Sequence, residues 1–429
     1  MVPSGDHEIN TALVIRSNGT VICGTGRIVQ TNADAPIIQI AKVSDVTIRD
    51  DTLIRPESAA ETQFQGVNAN GCDRLTLQSL KILDNCTKSS AIRLESCRNC
   101  RIQDCYILNY KRVTIEDRSK DPRNGYAFRC IDGTGIHVTK SVGTMILNNQ
   151  IIEHNLLPTK EIMQRYHLGE LVEGEKPTKF GIFGKSFETN HGTKTWHQGA
   201  AIAVTKADES SFTRISGNYL ENAAQGIDNQ ADNYLCTENI VNCGMMGMKA
   251  LHGSCNGIVA GNIFSHVDNW GIMLGPGAAS YAAQPPHDGQ SAKAANNDGN
   301  VLVSNNIISD FGRGLEFWNW GGPVDNPASP GAFLLKEGRL PTNPSLRHVL
   351  IEGNVVTNSE DETAESGGAQ LSKPKYRQAV QMDVDRPASE GKQSPEDVRI
   401  RNNILAPGRD GISSVPLPDS NVEAYKSAN

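Results

Sequence analysis

The sequence predicts an all-β solenoid of about ten stacked units. Three observations carry that prediction. One unit recurs along the 429 residues: a small residue, an apolar-x-apolar strand, a turn, a second short strand, and Asn followed by two or three mostly apolar residues. Glycine is abundant (40) and aromatic residues are sparse (5%), which suits many short strands and turns better than packed helices. Seven asparagines, Asn149, Asn218, Asn239, Asn262, Asn306, Asn354 and Asn403, fall at the same place in their units.

Taken in order, the first three copies are degenerate: IIQIAKVSDVTIRDDTL (37–53), GVNANGCDRLTLQSLKI (66–82) and AIRLESCRNCRIQDCYI (91–107). Clearer copies follow at 135–152, 200–222, 226–242, 247–264, 271–308, 314–356 and 379–405. Each has apolar, often β-branched residues at every second position, so one face of each short strand is apolar and no unit can bury it alone. Stacking buries it. The Asn slot, held by Asp51, Leu80 and Cys105 in the early copies, sits at a bend, where an inward amide can bond the backbone groups that a turn leaves unpaired. Cys236 takes an aliphatic slot filled by Ile146, Ile215 and Val259 elsewhere and is read as core.

This pattern resembles the right-handed parallel β-helix of the pectate-lyase-like superfamily over nearly the whole chain. The segment GMKALHGSCNGIVAGNIFSHVDNWGIMLG (247–275) is similar to the repeats of carbohydrate-active β-helix enzymes. The resemblance implies one β-helix domain over 1–429 with insertions at 110–134, 154–199, 275–300, 320–346 and 359–378, and a shorter one at 386–396. It also implies a capping helix that this chain, starting near HEINTALVI, is expected to lack. Function is left open among lyases, hydrolases, other sugar-transforming enzymes and tailspikes, which share the scaffold. The Gly-His-Gly of the polygalacturonase-like hydrolases is absent, which weighs against that branch.

Alternation along the first strand of each unit maps an outer face. With Ile136, Ile202, Ile227, Met248, Ile272, Leu315 and Val380 inward, the outward column is Asn68, Arg93, His137, Ala203, Asp228, Lys249, Met273, Glu316 and Gln381. Two residues on, a second column holds Asn70, Glu95, Thr139, Thr205, Gln230, Leu251, Gly275, Trp318 and Asp383. Column neighbours are about 4.8 Å apart. Insertions entering and leaving this sheet would wall a groove along it; the plainer reading is that they make contacts in a homo-oligomer.

The chemistry in that groove suggests two enzymes. Lys249 as base or charge stabiliser, with Asp228 orienting it, His137 or His252 as acid/base partner and Arg93 holding a carboxylate, suits proton abstraction α to a uronate carboxylate, as in the β-elimination of lyases. A solvated cross-strand ion pair is the plainer reading. Glu316 and Asp383, on a diagonal of roughly 7–8 Å, suit inverting glycoside hydrolysis instead. Arg93, Gln230, Lys206, Trp318 and Trp320 are the candidate substrate-binding side chains, the tryptophans by stacking on sugar rings. A third possibility is a non-catalytic carbohydrate binder or tailspike-type structural protein.

Composition narrows the partners. A formal charge of −7 argues against nucleic acid as the partner, and no apolar run of 18 residues supports a membrane-spanning helix. Residues 86–206 nevertheless hold 18 Lys and Arg against 12 Asp and Glu, a basic middle that suits an anionic ligand. The ten cysteines fit neither a small disulfide scaffold nor a zinc ribbon. Asp383 and Asp385 offer Ca²⁺ two oxygen donors, too few for a site, so no cofactor is expected. The start, MVPSGDHEI, does not read as a signal peptide, yet a polysaccharide substrate favours a secreted or periplasmic location.

Overall fold

The structure, a computed structural model, describes residues 1–59, 62–113, 131–154, 199–277, 279–286, 291–309, 331–338, 344–357, 378–382, 394–408, 410–417 and 422–424. The chain coils through three parallel sheets. The first sheet runs from Leu13–Ile15, Ile38–Ala41 and Val67–Asn70 through Ser90–Glu95, Thr134–Thr139 and Ala200–Thr205. It continues in the C-terminal halves of Tyr219–Asn229, Ile240–Leu251 and Ile263–Gly275, then Gly331–Leu335 and Val380–Met382. The second sheet has 11 strands, from Val21–Cys23 to Glu396–Arg401. The third begins at Asp6–Ile9 and ends at Val422–Ala424; the three long strands cross from it into the first sheet without a break.

Eleven rungs stand where about ten units are legible in the sequence. The additional one, Leu13–Ile15, Val21–Cys23 and Arg27–Gln30, precedes the first recognisable copy. A second correction concerns the unit at 314–356. Its first-sheet strand is Gly331–Leu335, where Phe333 pairs with Ile272 on one side and Val380 on the other. Phe333 therefore fills the inward slot expected for Leu315, Leu334 takes the outward slot expected for Glu316, and 320–346 is not purely a loop. Both GLEF and GAFLL show the small-residue and alternating pattern locally; pairing with the two flanking rungs selects the second.

Inward columns make one continuous core. Ile92, Ile136, Ile202, Ile227, Met248 and Ile272 are all fully buried within it, as is Cys236. From Val67–Asn70 onward the residue just ahead of the inward position of each first-sheet strand is small and forms a column of its own, Gly66, Ala91, Gly135, Ala201, Gly226, Gly247, Gly271, Ala332 and Ala379. At Gly135 a Cβ would lie 2.6 Å from the Ala201 carbonyl oxygen and 2.7 Å from the Ile151 side chain, so the bend between third and first sheets leaves little room there.

The asparagines form a buried ladder. Each Oδ1 accepts the backbone N–H of the preceding slot: Cys105 N to Asn149 at 3.0 Å, Asn149 N to Asn218 at 2.9 Å, and so on to Asn354 N to Asn403 at 2.9 Å. Each Nδ2 donates to a carbonyl one rung back, Ile102 for Asn149 and Val259 for Asn306. Asp51 occupies the same slot without partners. It is fully buried, neither carboxylate oxygen has a hydrogen bond, and burial, with Asp50 beside it, pushes its pKa up to about 6.

A raised folded-state pKa means stability that is complete below the unfolded value near 3.8 and lost as pH rises through about 6. Asp51→Asn keeps the shape and removes that charge. It is expected to stabilise the protein by about 2–3 kcal/mol at pH 7.5, with most of the gain gone by pH 4. Thermal melts at the two pH values check this; a gain independent of pH would show that ionisation is not the cause.

Candidate active site

The outward column forms as the alternation requires, except at Glu316. Cα partners run Asn68, Arg93, His137, Ala203, Asp228, Lys249, Met273, Leu334 and Gln381. Four inter-strand steps, about 19 Å in all, separate Arg93 from Lys249.

Lys249 Nζ lies 2.9 Å from Asp228 Oδ2, with the two side chains only 16% and 15% exposed. This is not a solvated surface pair. Removal from water strengthens the attraction but leaves every unused lone pair expensive, and Asp228 Oδ1 is buried with no hydrogen bond. At the other end, Arg93 Nη2 donates to Glu95 Oε2 at 2.8 Å while Arg93 Nε is buried without a partner. His137, one step from Arg93, shares a 3.0 Å hydrogen bond between Nε2 and the Thr205 hydroxyl. Burial, then the Arg93 charge, pulls its pKa down to about 4 against the opposing pull of Asp228 and Glu95. His137 is therefore neutral near pH 7.

Between His137 and Asp228 the strand Ala200–Thr205 places the Ala203 methyl at the paired position, with Ala200 beside Gln225 further back along the strand. Two inter-strand steps, about 10 Å, thus separate His137 from Asp228 across an apolar floor.

A third column was not found from sequence. Ala200 pairs with Gln225, Gln225 with Met246, Met246 with Trp270, and Trp270 with Gly331. A Cβ on Gly331 would lie 2.9 Å from Gln381 Nε2, which puts this column on the outer face. Ala200, Met246, Trp270, Ala203, Met273 and Leu334 are all buried yet lie outside the contiguous core cluster. Gln225 Oε1 and Trp270 Nε1 are buried without hydrogen bonds. The signal available in sequence was the residue just before the small column, in Gln225-Gly226, Met246-Gly247 and Trp270-Gly271.

No family model matches the chain, and no curated protein matches it. Solved structures match its fold. A tailspike protein mutant of E. coli bacteriophage HK620, in complex with a pentasaccharide, is 11% identical with a TM-score of 0.51, over 95% of this chain and 58% of that one. A complex of alginate lyase AlyF-OU02 is 11% identical with a TM-score of 0.53, over 99% of this chain and 77% of that one. A double mutant of the same tailspike is 10% identical with a TM-score of 0.52 and also 58% covered. The chain is a right-handed parallel β-helix.

On this β-helix the remaining candidates fall into three groups. Gln230 is half-buried beside the column and accepts a 3.3 Å hydrogen bond from the backbone N–H of Lys206, whose side chain is exposed at the sheet margin. His252 lies in the turn after Lys249 and takes part in holding the insertion that follows. Its Nδ1 accepts from Ala279 N at 3.4 Å, and its carbonyl accepts from Asn296 at 3.2 Å. The same turn is tied by buried Asp298, whose Oδ1 accepts from Gly253 N and Ser254 N at 2.9 and 3.2 Å. Glu316, Trp318, Trp320, Asp383 and Asp385 lie outside the described residues. Among the described residues no group of three or more His, Cys, Asp or Glu is arranged to hold a metal ion.

Proposed function

We propose that the protein acts on polysaccharide, and that it cleaves a uronate-containing chain by β-elimination in the groove along the first sheet. One observation carries the reading: a neutral imidazole, His137, beside the unpartnered Nε of Arg93, faces the buried Asp228–Lys249 pair across the Ala203 methyl. The fold likeness to an alginate lyase and to a tailspike bound to a pentasaccharide supports a carbohydrate ligand.

A uronate ring over Ala203 would turn its acidic C–H toward His137. The imidazole takes that proton, and the electron pair forms the ring double bond as the bond to the glycosidic oxygen breaks. Arg93 neutralises the carboxylate while enolate-like charge builds on it. Lys249, held by Asp228, stands on the leaving-group side and supplies positive charge there. The Lys249 ammonium gives a proton to the departing glycosidic oxygen, His137 later releases the one it took to water, and the product carries an unsaturated end. Substrates of this kind are met outside the cytoplasm, so the reading carries a secreted or periplasmic location with it.

The test is a panel of anionic and neutral polysaccharides followed in parallel for ultraviolet absorbance of unsaturated ends and for new reducing ends. Absorbance growth on an acidic polymer is the expected result, and Lys249→Ala should lower kcat/KM on it by about 10²-fold. Reducing ends without absorbance would mean hydrolysis, and neither signal would mean binding without cleavage.

A further inference from the structure

The two ion pairs of the outward face are charge-balanced. Arg93 is matched by Glu95 at 2.8 Å and Lys249 by Asp228 at 2.9 Å, so the pairs contribute two cations and two carboxylates over four steps of the sheet. A polymer bearing a carboxylate on every sugar would set its charges against Asp228 and Glu95 as often as against Arg93 and Lys249. Like charges on neighbouring steps are unfavourable.

The unsatisfied polar atoms are also sorted along the groove. At the Arg93 end the spare group is a guanidinium donor, Arg93 Nε, suited to a carboxylate. Past the alanine floor the spare groups are two acceptors, Gln225 Oε1 and Asp228 Oδ1, and one neutral donor, Trp270 Nε1. Two acceptors require hydroxyl or amide N–H groups and reject an anion. Trp270, Met246 and Met273 beside them are apolar and almost wholly buried, and Lys249, the cation of this stretch, is already paired with Asp228.

We infer that the groove takes an acidic heteropolysaccharide in which one uronate is followed by neutral sugars, the uronate lying at Arg93 and His137 and the neutral sugars over Gln225, Asp228 and Trp270. The inference rests on the β-elimination reading for its direction of cleavage, but the sorting of donors and acceptors stands without it. A homopolymer of uronates is the poorer ligand.

Polygalacturonate and polymannuronate should be compared with deacylated gellan and hyaluronan, in both of which neutral sugars separate the glucuronates. Cleavage is followed by ultraviolet absorbance, and binding by affinity electrophoresis. The expected result is that at least one of the mixed polymers is preferred over both homopolymers by about tenfold or more in kcat/KM or in retardation. Gln225→Met, which removes the Oε1 acceptor at nearly constant volume, should erase most of that preference, with matched melting temperatures as the control for folding, and an unchanged preference would overturn the inference. Equal or better handling of the homopolymers would overturn the inference while leaving elimination intact. Retardation by mixed polymers without any absorbance would overturn the elimination reading and leave the inference standing, and retardation by none of the four would overturn the inference.

Discussion

His137→Ala is expected to lower kcat/KM for elimination by about 10²–10⁴-fold, the range lost when a positioned general base is removed. The melting temperature should change little, because His137 is on the outer face and, among the described residues, its hydrogen bond is to the Thr205 hydroxyl. The pH profile sharpens the test. The base form is the neutral imidazole, and its pKa is pulled down to about 4, so wild-type activity should be level from about pH 6 upward on this limb and fall only as pH drops through about 4. Arg93→Gln removes the nearest cation and should move that acid limb to higher pH, toward the ordinary histidine value. A limb centred near 6.5 in the wild type, or one unmoved by Arg93→Gln, would remove His137 from the role of base.

Asn262→Ala is the change expected to damage the fold most. Asn262 Oδ1 accepts from Asn239 N at 3.0 Å and from Asn239 Nδ2 at 2.9 Å, while its Nδ2 donates to Cys236 O at 2.9 Å, Ala260 O at 3.3 Å and Asn306 Oδ1 at 2.9 Å. Truncation leaves buried groups above and below it without partners, at about 1–3 kcal/mol for each one that water cannot reach. The expected loss is about 3–5 kcal/mol, read as a lowered denaturation midpoint and as faster amide exchange at Asn239 and neighbouring rungs. Loss of less than about 1 kcal/mol would mean the ladder is satisfied by other groups. Asp51→Asn, a change in the opposite direction at the same slot, gives the matching control.

Much of this fold could be read from sequence because its information is local and repeated. Period-two alternation fixed Ile136, Ile202 and Ile227 as inward and His137, Ala203 and Asp228 as outward, and recurrence of Asn after each second strand fixed the bends. Residue-by-residue pairing of Arg93 with His137 and of Asp228 with Lys249 follows from these periods alone. Where an insertion intervenes, two segments can satisfy the same local pattern. GLEF and GAFLL satisfy the same local rule, and the choice of Gly331–Leu335 depends on hydrogen bonds to Trp270–Leu274 and Phe333 to Val380, contacts more than 40 residues apart in sequence.

Side-chain environment was less legible still. Nothing in the order of residues shows that Lys249 and Asp228 are shielded from water, that burial beside Arg93 keeps His137 neutral, or that His252 is engaged with the insertion at Ala279 and Asn296. Gln225, Met246 and Trp270 escape the alternation rule because they stand at the bend into the first sheet, where strict alternation breaks down. By itself the sequence determined the repeat, the inward and outward columns and the Asn ladder, since each is a periodic property of a chain that must bury one face of every strand. Only the tertiary structure decided which strand completes the tenth rung, which outward side chains are buried and which of their polar atoms are left unpaired, because those depend on the packing of segments far apart in sequence.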